Sequence, residues 1–302
     1  FFASLFQLAR SEQHYVPVII LYLENRMASL QSTNQEFLLA TFKKAFEKLK
    51  QEWHEFIDEQ VVYVERAEIN FKSRSVSPFM FGLPLFIKKV EDLIAYVASN
   101  LKLEQVASSE CRGLLNKSYS KLGESILKLL TKDDAIDANI TALESSGAPE
   151  KLDKCISLLI NSNWLQEMLV IFGNETLFEF VQESKNIFDR EKEIYADALV
   201  KESMSRLVTF IEGAYGLVGA TGSRRVDPSK WAAYSQQNLD KILKIYTSRE
   251  INELIQTLYD NMEAHFLKES NNNMREQLCD KLWSCIQGQT VSVYLKLYSL
   301  ID

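Results

Sequence analysis

Proline and glycine are scarce in this chain, five and ten in 302 residues. Sheet and loop-rich folds place both at their turns, so the scarcity points to long helices. Long apolar runs are missing too. The longest, Val16–Leu23, falls well short of the ~20 residues that cross a bilayer, and no signal peptide is visible. Histidine occurs only at positions 14, 54 and 265. The four cysteines (Cys111, Cys155, Cys279 and Cys285) show no CxxC and no metal-ligand spacing. Set among apolar residues, they read as buried thiols of a reducing compartment. Basic charge is nowhere in excess: residues 1–150 carry 17 basic and 20 acidic residues, residues 151–302 carry 17 and 21, and the net charge is −7. An acidic chain without a basic half is a poor candidate for nucleic acid, where phosphate neutralisation dominates affinity. The sequence opens in mid-pattern at Phe1 without a methionine and reads as a piece of a larger protein.

What is present is apolar material at helical spacing. Hydrophobic residues make up 46% of the chain and aromatics 11%, enough for a continuous core in two helical units or one elongated stack. Residues 4–31 read as a helix in which Pro17 marks a kink or a first turn. Thr33 and Glu36 form a capping-box pair. Phe37, Leu38, Phe42, Phe46, Leu49, Trp53 and Ile57 follow in helical rhythm, with Val61, Val64 and Ala67 continuing the stripe, predicting a helix of about 35 residues. After a break at 72–82, residues 85–106 and 111–130 resume the pattern. Ser146-Gly147-Ala148-Pro149 ends one helix and starts another, expected over 150–172. Between Asn174 and Gly213 there is neither proline nor glycine, which predicts one helix of about 35–40 residues. Asp227-Pro228, Thr247 with Glu250, and Asn273 with Glu276 read as further helix starts. No run of strict alternation calls for a sheet, and no fixed-period repeat appears. The expectation is an all-α fold, an elongated rod of stacked helical bundles. Residues 1–148 would form the first bundle and 149–302 the second, with a flexible loop near 213–227. Apolar faces that mix leucine, aromatics and β-branched residues argue for packed bundles over a free coiled coil.

Each chemical motif lacks a required part. His54-Glu55 begins like HExxH, but Asp58 stands where the second histidine must put its ligand on the same zinc; His54 reads as a rim histidine. Gly213, Gly216, Gly219 and Gly222 recur every third residue beside Arg224 and Arg225. This run lacks a GK[ST] ending and follows a helix, so it reads as a helix end fraying into a loop. The two arginines there are candidates for an acidic partner or a lipid headgroup. In Val76–Phe86, Pro78 and Pro84 argue against a regular helix, leaving a loop that plugs a bundle end or docks a partner. Lys43-Lys44, Lys88-Lys89 and Asp133-Asp134 read as solvated faces, and the sequons at Asn116, Asn139 and Asn174 as chance triplets. No catalytic, cofactor-binding or metal-binding residue is assigned. The expected role is non-enzymatic protein binding.

Three segments carry a resemblance. They are Arg74–Ile94 (RSVSPFMFGLPLFIKKVEDLI), Phe210–Val218 (FIEGAYGLV) and Gln236–Phe266 (QQNLDKILKIYTSREINELIQTLYDNMEAHF). Their order and spacing resemble the C-terminal helical domain of the exocyst complex component 1 family, loosely over nearly the whole chain and least over 111–174. The resemblance implies stacked helical bundles of the tethering-complex type and a role in tethering secretory vesicles to the plasma membrane before SNARE-driven fusion. It implies other exocyst subunits as partners, with SNAREs or small GTPases reached through the full-length protein. It also implies weak or no membrane contact by this stretch, and a cytoplasmic location, peripheral at the plasma membrane at sites of polarised secretion. The family's lipid- and Rho-type GTPase-binding residues belong to an N-terminal module outside this sequence, so none is carried over. Two rival readings make their own demands. A peripheral membrane or SNARE-priming helical domain requires a basic stripe, around Lys72, Arg74, Arg224 and Arg225. An all-helical enzyme requires a buried polar cluster with perturbed ionisation.

Overall fold

A computed structural model describes residues 2–103, 106–132, 148–219, 231–267 and 272–301. Among these the regular structure is eleven α-helices and four short 3-10 turns, with no strand. The helices are α1 (Phe2–Ser11), α2 (Val16–Leu30), α3 (Glu36–Glu65), α4 (Pro78–Leu101), α5 (Glu110–Thr131) and α6 (Ala148–Val170). They continue with α7 (Glu175–Ser203), α8 (Ser205–Gly219), α9 (Gln236–Leu243), α10 (Ser248–Phe266) and α11 (Asn272–Ile301). Two compact units result. One comprises Phe1–Asn70, Val76–Ser145 and Asn161–Asn186; the other comprises Phe71–Ser75, Ser146–Ile160 and Ile187–Asp302.

The first unit is built on the mutual packing of α2, α3, α4 and α5. The helix expected over 4–31 is two helices, because Pro17 sits in the first turn of α2. First-turn N–H groups have no intrahelical acceptor, so proline loses nothing there. Helix α3 has 30 residues. Its 3.6-residue period buries Phe42, Phe46, Leu49, Trp53 and Ile57 along one side. The capping box expected at its start does not form. Gln35 is the N-cap, and Thr33 turns back to donate from Oγ1 to the Leu30 carbonyl at 2.7 Å.

Helix α4 corrects the reading of 76–86 as a loop. Pro78 begins the helix and Pro84 lies inside it. An interior proline costs about 3 kcal/mol, yet here its ring is buried on the face that carries Met80, Leu83 and Ile87 into the core. Burial of that many apolar side chains, at ~1.5–3 kcal/mol each, outweighs the lost backbone bond. The apolar stretch is therefore the opening of a core helix, neither plug nor free loop.

Polar side chains fix how these helices meet. The Glu24 carboxylate of α2 accepts from the Glu110 and Cys111 amides at 2.7 and 3.2 Å, and Ser109 Oγ accepts from the Arg112 amide at 3.1 Å. Three amides of the first turn of α5, otherwise without partners, are satisfied in this way. Arg112 donates through both terminal nitrogens to Glu91 of α4, at 2.6 and 2.9 Å, and the Tyr119 hydroxyl joins the same carboxylate at 2.9 Å. The buried Asn161 Oδ1 of α6 accepts from the Ser77 amide at 2.7 Å, just ahead of α4.

From Cys155 to Leu165, α6 is buried at every position. The single helix expected between Asn174 and Gly213 is interrupted at Met204, which divides α7 from α8. Backbone bonds still cross the joint, from the Met204 amide to Val200 at 2.8 Å and from the Val208 amide to Met204 at 2.9 Å. Met204 is fully buried between Ser203 and Ser205.

In the second unit α8 packs on α9 and α11, and α10 packs on α11. The loop expected at 213–227 is helical through Gly219. Gly222, Arg224, Arg225 and Asp227-Pro228 lie outside the described residues, as do Asn139 and Asp133-Asp134. Gly213 has a packing role: a β-carbon there would lie 2.8 Å from Tyr234 Cζ. The Tyr234 ring also meets Phe210, with centroids 5.5 Å apart. Thr247 is the extended N-cap residue of α10, but its side chain makes no cap bond, so that capping box marks a position only. Leu278, Leu282, Ile286 and Leu297 of α11 are buried, while Cys285, Val293 and Leu300 at the same helical spacing are half-buried.

Candidate interaction surfaces

Among the described residues the histidines, thiols and carboxylates do not gather into a metal-binding group. His54 is exposed on α3, and Asp58 is ion-paired with Lys121. Cys111, Cys155 and Cys279 are buried and Cys285 is half-buried. Burial pushes the Cys111 thiol up to about 12 and those of Cys279 and Cys285 up to about 11; it raises Cys155 as well. These thiols are protonated at neutral pH and poor nucleophiles.

One polar cluster in the second unit was not legible in the sequence. The Tyr195 hydroxyl of α7 hydrogen-bonds His265 Nδ1 of α10 at 2.9 Å, and the Tyr195 ring meets Phe266 edge-on at 5.7 Å. Arg74, in the left-handed region at φ 48, donates to Asp153 Oδ1 at 2.8 Å from Nε and 2.7 Å from a terminal nitrogen. Burial, then the nearby Arg74 charge, lowers the His265 pKa; burial raises that of Tyr195. Tyr195 is fully buried and its hydroxyl is spent on His265. The arrangement links helices, and Arg74, one of the cations that a basic stripe would need, is ion-paired with Asp153.

Apolar surface is the other feature. In the first unit, Phe56, Tyr63, Phe79 and Phe86 line a groove of about 230 Å³ bordered by α3, α4 and α5. Their rings are in contact: Tyr63 and Phe79 lie 5.6 Å apart, Phe56 and Phe86 6.2 Å. A second cavity, of about 390 Å³, opens where α6 ends and α7 begins, lined by Leu169, Val170, Leu177, Phe178 and Val181. In the second unit, Val291, Leu295 and Tyr298 are exposed on α11. Their spacing of four and three residues makes one stripe of the helix. Exposed apolar residues grouped in this way mark interaction sites more often than isolated ones do.

Over residues 1–302 the chain matches the family described as "Exocyst complex component Sec3, C-terminal". It is 21% identical over 285 residues to "Exocyst complex component 1" of Drosophila melanogaster, an alignment that covers 94% of this chain and 28% of that protein. It is 24% identical over 274 residues to the Mus musculus protein of the same name, covering 91% of this chain and 26% of the mouse protein. The chain thus spans about a quarter of the length of these relatives. No solved structure matches it.

Proposed function

The chain belongs to the exocyst Sec3 C-terminal family, and from that premise we propose that it is a non-catalytic scaffold. In this reading it binds other exocyst subunits and so supports assembly of the complex and the tethering of secretory vesicles at the plasma membrane. The observation that carries the reading is the exposure of apolar helix faces in both units. Long helices bring large side faces at low loop cost. Affinity then comes from apolar and aromatic anchors on those faces, with charged rims setting register. SNAREs and small GTPases would be reached through other parts of the full-length protein, and its place of work would be the cytoplasmic side of the plasma membrane. A lipid-binding role is less favoured, because Arg74 is engaged by Asp153. The test is retention of purified sister exocyst subunits on the immobilised chain, beside the full-length protein. Retention on both is expected. Retention on the full-length protein alone would place assembly elsewhere in it.

A further inference from the structure

Of the exposed apolar surfaces, the cleft between α6 and α7 has a charge pattern that limits what can cover it. Val170, Ile171 and Phe178 expose 59%, 72% and 62% of their surface. They do not belong to a frayed end. The Phe172 and Gly173 amides close α6 onto Leu169 and Val170 at 3.3 Å, and Gly173 takes the left-handed conformation (φ 56) that favours glycine. Asn174 Oδ1 then accepts from the Thr176 amide at 2.9 Å and opens α7. Both walls of the cleft are therefore set by hydrogen-bonded backbone, with Leu169 and Leu177 buried beneath.

The one charged residue lining the cleft is acidic, Glu175. Glu179 and Glu183 are exposed farther along α7, and Lys185 is the only cation from 166 to 186 that faces solvent. Neither Glu175 nor Glu179 forms an ion pair among the described residues. Glu175 is accounted for in part by its place in the first turn, where a helix favours negative charge; Glu179 lies beyond it. This sign excludes three occupants. An anionic lipid surface would be repelled. A second copy of the chain, meeting face to face, would set the same glutamates against each other. Residues 133–147 bring Asp133, Asp134, Asp137 and Glu144 and no lysine or arginine.

We propose that this cleft is the docking site for an amphipathic helix of a sister subunit, apolar on one face and flanked by lysine or arginine. The inference rests on the scaffold reading above and names its partner chemistry. Val170 and Phe178 would seat apolar residues of the incoming helix, and Glu175 at the rim, with Glu179 one turn beyond, would face its cations. The test replaces Phe178 with a photoreactive benzoylphenylalanine in the full-length protein, within an exocyst complex reconstituted from purified subunits. The expected cross-link is to a sister-subunit segment with apolar residues at helical spacing and basic flanks. A Glu175→Lys, Glu179→Lys background should lower its yield about tenfold or more, as reversed rim charges would. A cross-link to residues 133–147, to a second copy or to a sister segment without basic flanks would overturn the proposal. So would no cross-link in a fully assembled complex, or a yield that charge reversal leaves unchanged. Failure of the unmodified protein to join its sisters would instead overturn the scaffold reading, and this inference with it.

Discussion

Trp53 is fully buried, and its indole N–H donates to Ser118 Oγ at 2.8 Å, which in turn donates to the Leu114 carbonyl at 2.9 Å. Ser118→Ala would strand the indole donor in the core of the first unit. A lost partner of that kind costs about 1–3 kcal/mol, to be read as a lower urea midpoint at unchanged slope. His265 makes a prediction in pH. Its folded-state pKa lies below the ordinary 6.5 because burial and Arg74 oppose its charge, with Glu202 and Asp153 acting the other way. As pH falls through 6.5 the unfolded chain binds a proton that the folded chain refuses. Stability is thus fully present above that pH, declines below it, and levels off once the folded-state pKa is passed. His265→Gln, which keeps a partner for Tyr195, should flatten the decline in a series of denaturation curves. His14, also lowered by burial, leaves a residual slope. A decline as steep as that of the unchanged protein would show that His265 is not its source.

At the level of the helix, the amide end of α5 depends on a residue 86 positions away, Glu24. Glu24→Ala removes the acceptor of two amides while Ser109 still serves a third. Loss of a cap costs about 0.5–2 kcal/mol, so a fall of that size is expected in chemical denaturation, together with faster amide exchange at Glu110 and Cys111. Unchanged exchange at those amides would mean that water replaces the carboxylate. Glu24 also shows what could be read from the sequence and what could not. Helix positions followed from apolar periodicity, since Phe42 to Ile57 and Leu278 to Ile286 need only a 3.6-residue repeat. Local bonds were less legible. Thr33 and Glu36 fit a capping box, yet Thr33 bonds backward to Leu30. Pro84 signalled a break, and core burial overrode it. Links such as Tyr195 to His265 join residues 70 apart and leave no local pattern at all. The α6–α7 cleft was missed for a related reason: Gly173-Asn174 marked a helix boundary, but burial of its neighbours is set by tertiary packing.

For the whole molecule, the open contrast is between holding proteins and holding lipid. The net charge of −7 gives no general attraction to an anionic surface. Recognition of such surfaces takes clusters of about four to eight lysines or arginines, each worth about 1 kcal/mol near the membrane. The described cations are instead dispersed and often spoken for: Lys88 pairs with Asp92, Lys89 with Glu12, Lys121 with Asp58 and Arg74 with Asp153. No described helix is long and apolar enough to cross a membrane. Arg224 and Arg225 lie outside the described residues, and two adjacent charges alone are fewer than such a cluster holds. The chain should therefore remain with the unbound fraction when floated with phosphatidylserine vesicles at physiological salt, where the screening length is about 8 Å. Lowering the salt separates the two readings. Flotation that appears at low salt and disappears in an Arg224→Glu, Arg225→Glu variant would assign membrane contact to that segment. Absence of flotation at both salts, with sister subunits still retained on the same protein, is the outcome expected of a scaffold whose surface is made for other helices.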